Sequence, residues 1–259
     1  LGHLDGYTDA SCRIWFALHH LLVDTVSWRI IAHDLKDLYN KFELAKQEER
    51  LAELYQQDSE ILLGKKGTSY RQWVNVVKQY RITYAEEAHY WENELLGLTA
   101  AQANLEALIV GNAISTYNEF KLDQKTTSLL FTASSQAYNT EINDLLLSAL
   151  GLALAPLTNS NTNYITLEGH GREEFAKQDD QLIDVNRTVG WFTTMYLVKL
   201  DVDTASRSSS IIKIKEGLRN IPNKGIGYGA VYGDTKNQLP RISFNYLGQF
   251  KSGQSNNQE

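Results

Sequence analysis

His19-His20-Leu21-Leu22-Val23-Asp24-Thr25-Val26-Ser27-Trp28 is the stretch from which the rest of the chain is read. An apolar run precedes it, Ile14 to Leu18, and has the composition of a buried strand; Thr25 and Val26 then open an amphipathic helix. A strand end that delivers imidazoles to a loop is a way for a rigid scaffold to present a base to a substrate. Only six histidines occur among 259 residues, so an adjacent pair marks the first place to look for chemistry.

Composition bounds the possibilities. Hydrophobic residues make up 42% and charged residues 22% of the chain, the balance of an ordinary globular protein. A net charge of −6 argues against a nucleic-acid partner, which requires a basic face. One cysteine, Cys12, forbids an internal disulfide and points to a reducing, cytoplasmic setting; the residue reads as a structural thiol. The longest apolar stretch, Leu145 to Leu157, is too short to span a bilayer, so no membrane is expected. The chain starts at Leu1 rather than methionine, which suggests a piece of something longer.

Outward from the histidines, Ile30, Ile31, Leu35, Leu38 and Phe42 recur at helical spacing. Trp73 through Leu95 forms one long aromatic-rich stripe, predicting a single helix that Gly97 caps. A junction is expected within Thr99–Ser115. Beyond it the sequence predicts a strand over Thr116–Leu122, an Asp123-capped helix to Ser134, and an apolar helix capped by Asn139-Thr140 and ended by Pro156. Further strands are predicted over Tyr164–Leu167, Met195–Leu200 and Ile242–Leu247, with a helix from about Ser208 to Arg219 between the last two, and a disordered tail at 251–259. Mixed elements without a strict βαβ rhythm predict an α/β sandwich rather than a doubly wound sheet.

Several motifs could carry chemistry. Glu168 stands at a strand end with Gly169 and Gly171 close after it, so its carboxylate could reach into a narrow cleft; on spacing alone a solvated turn pairing Glu168 with Arg172 is as good a reading. Arg187 to Thr193 packs a cation, Gly190 and the aromatics Trp191 and Phe192 together, which suits a hairpin corner or a ligand contact. Pro222 to Gly229 looks only superficially like a phosphate loop and reads better as a flexible loop over a tunnel or partner surface. Asn245 and Tyr246 sit side by side on a strand, so alternation sends them to opposite faces. Adjacent histidines diverge on an extended loop and carry no metal-ligand spacing, and no nucleophile elbow is present. Acid–base chemistry by His20 and Glu168 is what remains.

In their order, these segments resemble the epimerization domain of nonribosomal peptide synthetases, a member of the condensation-domain superfamily with a chloramphenicol acetyltransferase-like fold. The matching pieces are His19 to Asp24, Thr68 to Trp73, Asp144 to Gly151, Glu168 to Glu173, Arg187 to Thr193, Pro222 to Gly229 and Phe244 to Gln249. The His-His motif is common to condensation-type domains; the Glu168, Arg187 and Asn245 segments favour epimerization.

The resemblance implies inversion of the α-carbon of an aminoacyl or peptidyl thioester held on the phosphopantetheine arm of a peptidyl carrier protein. The arm arrives with the partner, so no bound cofactor or metal is implied, and neighbouring synthetase domains are. It further implies His20 and Glu168 as the proton-transferring pair across a tunnel, Tyr246 or Asn245 at the thioester carbonyl, and His19, Asp24, Arg172 and Trp191 in support. Condensation-type amide formation and an inactive carrier-docking lobe are the other readings.

Two departures accompany it. Thr25 stands where the family has glycine, a side chain that would shift His20 or narrow the channel. Only eighteen residues precede the His-His motif, so most of an N-terminal lobe is expected to be missing; the division expected is 1–98 as its remnant with the linking helix, 99–250 as the C-terminal lobe, then the tail.

Overall fold

The computed structural model describes residues 2–4, 13–107, 116–132, 138–173, 177–178, 181–232 and 239–248. Cys12, the second half of the expected junction and the expected tail lie outside these. The chain divides into two compact units, Leu1–Val77 with His170–Thr193, and Lys78–Gly169 with Thr194–Glu259. No helix among the described residues is long and apolar enough to cross a membrane.

In the first unit, β1 (Gly2–Leu4) pairs antiparallel with β2 (Arg13–Trp15). β2 is not the buried strand expected: Ile14 is 54% and Trp15 63% exposed. A single 3₁₀ turn, His20–Leu22, separates it from α1 (Thr25–Gln47). Asp24 caps α1 by accepting from Ser27 N at 2.6 Å, satisfying an orphan amide of the first turn. Thr25 is the exposed first residue of that helix and its φ is not positive, so the backbone there makes no demand for glycine. α2 (Leu51–Tyr55), α3 (Ser59–Leu63) and the short hairpin β4 (Lys177–Gln178)–β5 (Gln181–Leu182) complete the unit, with the first half of α4 (Tyr70–Thr83). α4 starts in a Ser–x–x–Gln capping box: Ser69 N donates to Gln72 Oε1 at 2.8 Å and Gln72 N to Ser69 Oγ at 3.3 Å.

The second unit is an α/β sandwich around a three-stranded mixed sheet ordered β6-β3-β7. β3 (Thr162–Gly169) pairs antiparallel with β6 (Thr194–Asp201), in register from Thr162↔Asp201 to Gly169↔Thr194. β7 (Ser243–Phe244) adds parallel to β3; it is shorter than the expected Ile242–Leu247, so Asn245 and Tyr246 lie just beyond its end. The middle five residues of β3 are all buried, as expected of a central strand covered on both faces. Against the sheet pack α5 (Glu87–Glu106), α7 (Ile142–Thr158), α8 (Arg207–Arg219) and the short α9 (Ile226–Tyr232), while α6 (Gln124–Phe131) starts at the Asp123 cap. Trp91, Leu147, Ile165, Leu197, Leu200 and Ile214 lie at the centre of the core.

Several local expectations are corrected. The Trp73–Leu95 stripe is two helices, broken at Tyr84–Glu86 by a turn that neither Gly nor Pro announces. α5 runs through Gly97 to Glu106, and Gly97 is a packing site rather than a cap. A Cβ there would collide with the Tyr164 hydroxyl and lie 2.9 Å from its Cζ. Thr116–Leu122 forms no strand, and Tyr117 and Phe120 are exposed. α7 is capped at Glu141, whose N–H donates to Asp144 Oδ2 at 2.8 Å. It passes Pro156 and ends at Asn159, whose left-handed φ of 51° closes the helix.

The Pro222–Gly229 segment is not a loop: an anchored 3₁₀ turn, Pro222–Gly225, runs straight into α9, with Gly225 to Tyr228 buried. Asn223, Lys224 and Gly225 have φ of 41°, 50° and 83° in succession. Asn223 Nδ2 donates to Tyr80 Oη at 2.6 Å and to Glu87 Oε1 at 3.0 Å, while Tyr80 Oη donates to Glu87 Oε1 at 2.7 Å. Burial, then the Glu87 carboxylate, push the Tyr80 phenol far up, which keeps it a donor.

Candidate active site

Around the histidine motif, each side chain has a traceable support. His19 Nδ1 accepts from Leu21 N at 3.2 Å, so this imidazole caps the 3₁₀ turn that carries His20. His20 itself is exposed, and its ring meets Trp191 edge-on at 5.9 Å between centroids and 74° between planes.

Behind the turn lies a buried polar cluster. Arg172 Nη2 donates to both Asp24 oxygens, at 2.9 and 3.0 Å, and to Ser27 Oγ at 3.0 Å; Nη1 donates to Val185 O at 3.0 Å and Thr188 O at 2.6 Å. Both charged side chains are 4% exposed. The guanidinium also lies over the Phe192 ring, 3.9 Å from its centroid. Burial by itself would raise the Asp24 carboxyl, but hydrogen bonds from Ser27, Arg172 and Phe192 N outweigh it and hold the group below its ordinary range. Burial lowers Arg172 from an ordinary value so high that the side chain stays cationic.

Ser27 joins the two segments of this unit. Its Oγ accepts from Gly190 N at 3.0 Å and donates to Gly190 O at 2.8 Å, while Phe192 N donates to Asp24 Oδ2 at 3.2 Å. The Arg187–Thr193 segment is thereby laid against the start of α1, and Arg187 adds a more exposed ion pair with Asp34. Thr68 fastens it from another side, donating from N to Asp184 O at 2.9 Å and accepting from Thr188 Oγ1 at 2.6 Å through its carbonyl. Sequence reasoning missed Ser27 as the link; its only signal is a hydroxyl one turn into a helix whose neighbouring buried position, Ile30, is apolar.

In the second unit, Glu168 is half-buried near the end of β3. Asn245 Nδ2 donates to Glu168 Oε2 at 2.6 Å, joining two residues 77 positions apart that the sequence placed in separate motifs. A carboxylate only accepts here, so the amide fixes one oxygen and leaves Oε1 as the atom able to take or give a proton. Tyr246 is half-buried beside Asn245. The Arg172 guanidinium, the other partner the sequence offered Glu168, is committed to Asp24 within the first unit. Among the described residues no group of three or more His, Cys, Asp or Glu is placed to hold a metal ion.

A condensation-domain family model matches residues 3–259. The chain belongs to the condensation-domain family. It is 41% identical over 252 residues to the N-(5-amino-5-carboxypentanoyl)-L-cysteinyl-D-valine synthase of Amycolatopsis lactamdurans, covering 97% of this chain and 6% of that protein. To surfactin synthase subunit 2 of Bacillus subtilis (strain 168) it is 38% identical over 255 residues, covering 95% of the chain and 7% of the relative. The solved epimerization domain from the third module of tyrocidine synthetase B superimposes with a TM-score of 0.64 at 36% identity, over 90% of this chain and 51% of that one. A first condensation domain of the calcium-dependent antibiotic synthetase shares the fold, with a TM-score of 0.55 at 13% identity. The chain thus spans about half of the solved epimerization domain and a small part of each synthetase. The chloramphenicol acetyltransferase-like α/β class expected from the motifs is the fold of these neighbours.

Proposed function

We propose that this member of the condensation-domain family epimerizes an aminoacyl or peptidyl thioester carried on the phosphopantetheine arm of a peptidyl carrier protein. The observation that carries the reading is the Asn245–Glu168 hydrogen bond of 2.6 Å, which gives a strand-end carboxylate one fixed and one available oxygen. The likeness to a solved epimerization domain at 36% identity supports it, as does a relative whose own name specifies a D-valine product.

Inversion needs the α-C–H bond to break, its electron pair to move into the thioester as an enolate, and a proton to return from the opposite face. His20 and Glu168 are the proposed pair: whichever is unprotonated takes the α-proton, and the other, protonated beforehand, gives one back. Tyr246 is proposed to steady the enolate oxygen, and Asn245 to aim Glu168. His19, Asp24 and Arg172 hold the histidine turn and touch no substrate in this scheme.

The test is to incubate the protein with an L-aminoacyl carrier protein and follow the chirality of the released amino acid. Appearance of the D-form supports epimerization, and Glu168→Gln should abolish it. Formation of an amide when an acceptor aminoacyl carrier is added, with no D-form, would instead identify condensation. Binding of the carrier without turnover would leave only a docking role.

A further inference from the structure

An exposed imidazole has two freely rotating bonds, and proton transfer requires it in one orientation. The 3₁₀ turn fixes the backbone of His20 but not its ring. From the edge contact with Trp191 and the way Trp191 is itself held, we propose that Trp191 is the positioning residue for the His20 imidazole. This rests on the epimerase reading for its catalytic consequence, but not for the contact itself.

The support runs in a closed circuit. Tyr70 Oη donates to the Trp191 carbonyl at 2.8 Å, Gly190 is clamped at both its N–H and its carbonyl by Ser27 Oγ, and Phe192 N is held by Asp24 Oδ2. Burial and the nearby Asp24 charge push the Tyr70 phenol up, so it remains a donor to that carbonyl. Gly190 must lack a side chain, because a Cβ would lie 2.5 Å from Tyr70 Cδ2 and 2.9 Å from Phe192 Cε2. Asp24 and Ser27 thus fix the backbone on either side of Trp191, and Asp24 is only four residues beyond His20.

The indole contributes its ring rather than a polar anchor. Trp191 Nε1 is buried with no hydrogen-bond partner among the described residues, a desolvation cost that phenylalanine would not carry. What the ring supplies is an edge-to-face neighbour at 5.9 Å, within the range in which aromatic pairs attract. Every element of the circuit lies in one compact unit of the chain.

The test compares the parent protein with Trp191→Leu and Trp191→Phe, following exchange of the α-proton of an L-aminoacyl carrier thioester for solvent deuterium by mass spectrometry. Trp191→Leu should lower kcat about 100-fold, the scale of a misplaced catalytic group, with KM for the carrier essentially unchanged. Trp191→Phe should restore most of it. Unchanged kcat in Trp191→Leu, a rise in KM alone, or a Phe variant as slow as the Leu variant would each overturn the inference.

An activity-independent arm uses the NMR shifts of the His20 ring protons, which the indole ring current displaces. That displacement should vanish in Trp191→Leu, and its persistence would overturn the contact. If Trp191→Leu does not fold, Tyr70→Phe, which releases only the Trp191 carbonyl, takes its place: a fall in kcat at constant KM supports the inference and an unchanged kcat opposes it. A parent protein that exchanges no α-proton would sink the epimerase reading instead, while the NMR arm still judges the contact.

Discussion

Asp24 and Arg172, 148 residues apart in the chain, meet as a buried ion pair in which one guanidinium nitrogen reaches both carboxylate oxygens. The pair joins the start of α1 to the segment that follows Glu168. Asp24 also caps the helix and holds Phe192 N, so three structural duties converge on one carboxylate.

Asp24→Asn should therefore destabilise the first unit by about 3–5 kcal/mol, because it leaves the Arg172 charge buried without its counter-ion. Combining it with Arg172→Met should cost less than the sum of the two single changes, since the orphaned charge goes too. Urea unfolding of the four proteins in a double-mutant cycle measures both.

The same pair sets an acid limit. Asp24 is held below its ordinary value of 3.8, so its contribution to stability is fully present above that pH. It declines as pH falls below 3.8, where the unfolded chain takes up the proton first, and is lost once the folded carboxyl also titrates. The stability gap between the parent and Asp24→Asn should be constant near neutrality and shrink with acidification below that point. A gap that widened in acid would contradict this.

Gly97→Ala gains helix propensity yet should destabilise by about 1–3 kcal/mol, because its methyl group must displace the buried Tyr164 ring. Adding Tyr164→Phe removes the colliding hydroxyl and should recover part of the loss. Thermal unfolding of single and double variants decides it.

Asn245→Ala should slow the proposed epimerization about tenfold while leaving stability within about 0.5 kcal/mol, since the half-exposed Glu168 loses its aim and not its place in β3. Asn245→Asp, which sets a like charge against Glu168, should be slower still. Rates of D-aminoacyl formation with matched melting temperatures separate these effects from misfolding.

Part of the local structure was written in the sequence, and convergence was not. The helix opening at Thr25, the helix through Ser208 to Arg219 and the strand leading into Glu168 follow from side chains acting on their own neighbourhood. Gly97 misled because a glycine needed for a close ring approach looks, in one dimension, like a glycine needed for a turn. The break at Tyr84–Glu86 left no local mark, and nearby Glu87 finds its partners in Tyr80, Trp91 and Asn223. The Asn245–Glu168 and Ser27–Gly190 contacts were illegible for the same reason: each depends on which distant segments the fold brings together.

The turn at Asn223–Gly225 has a mechanical consequence. Three successive left-handed residues, tied by an amide to a buried phenol and carboxylate, leave the backbone no inexpensive alternative conformation. A Cβ at Gly227 would strike the Glu87 carboxylate, so the following turn is wedged in place as well. Such a segment works as a rivet through the second unit, pinning the start of α9 to the start of α5.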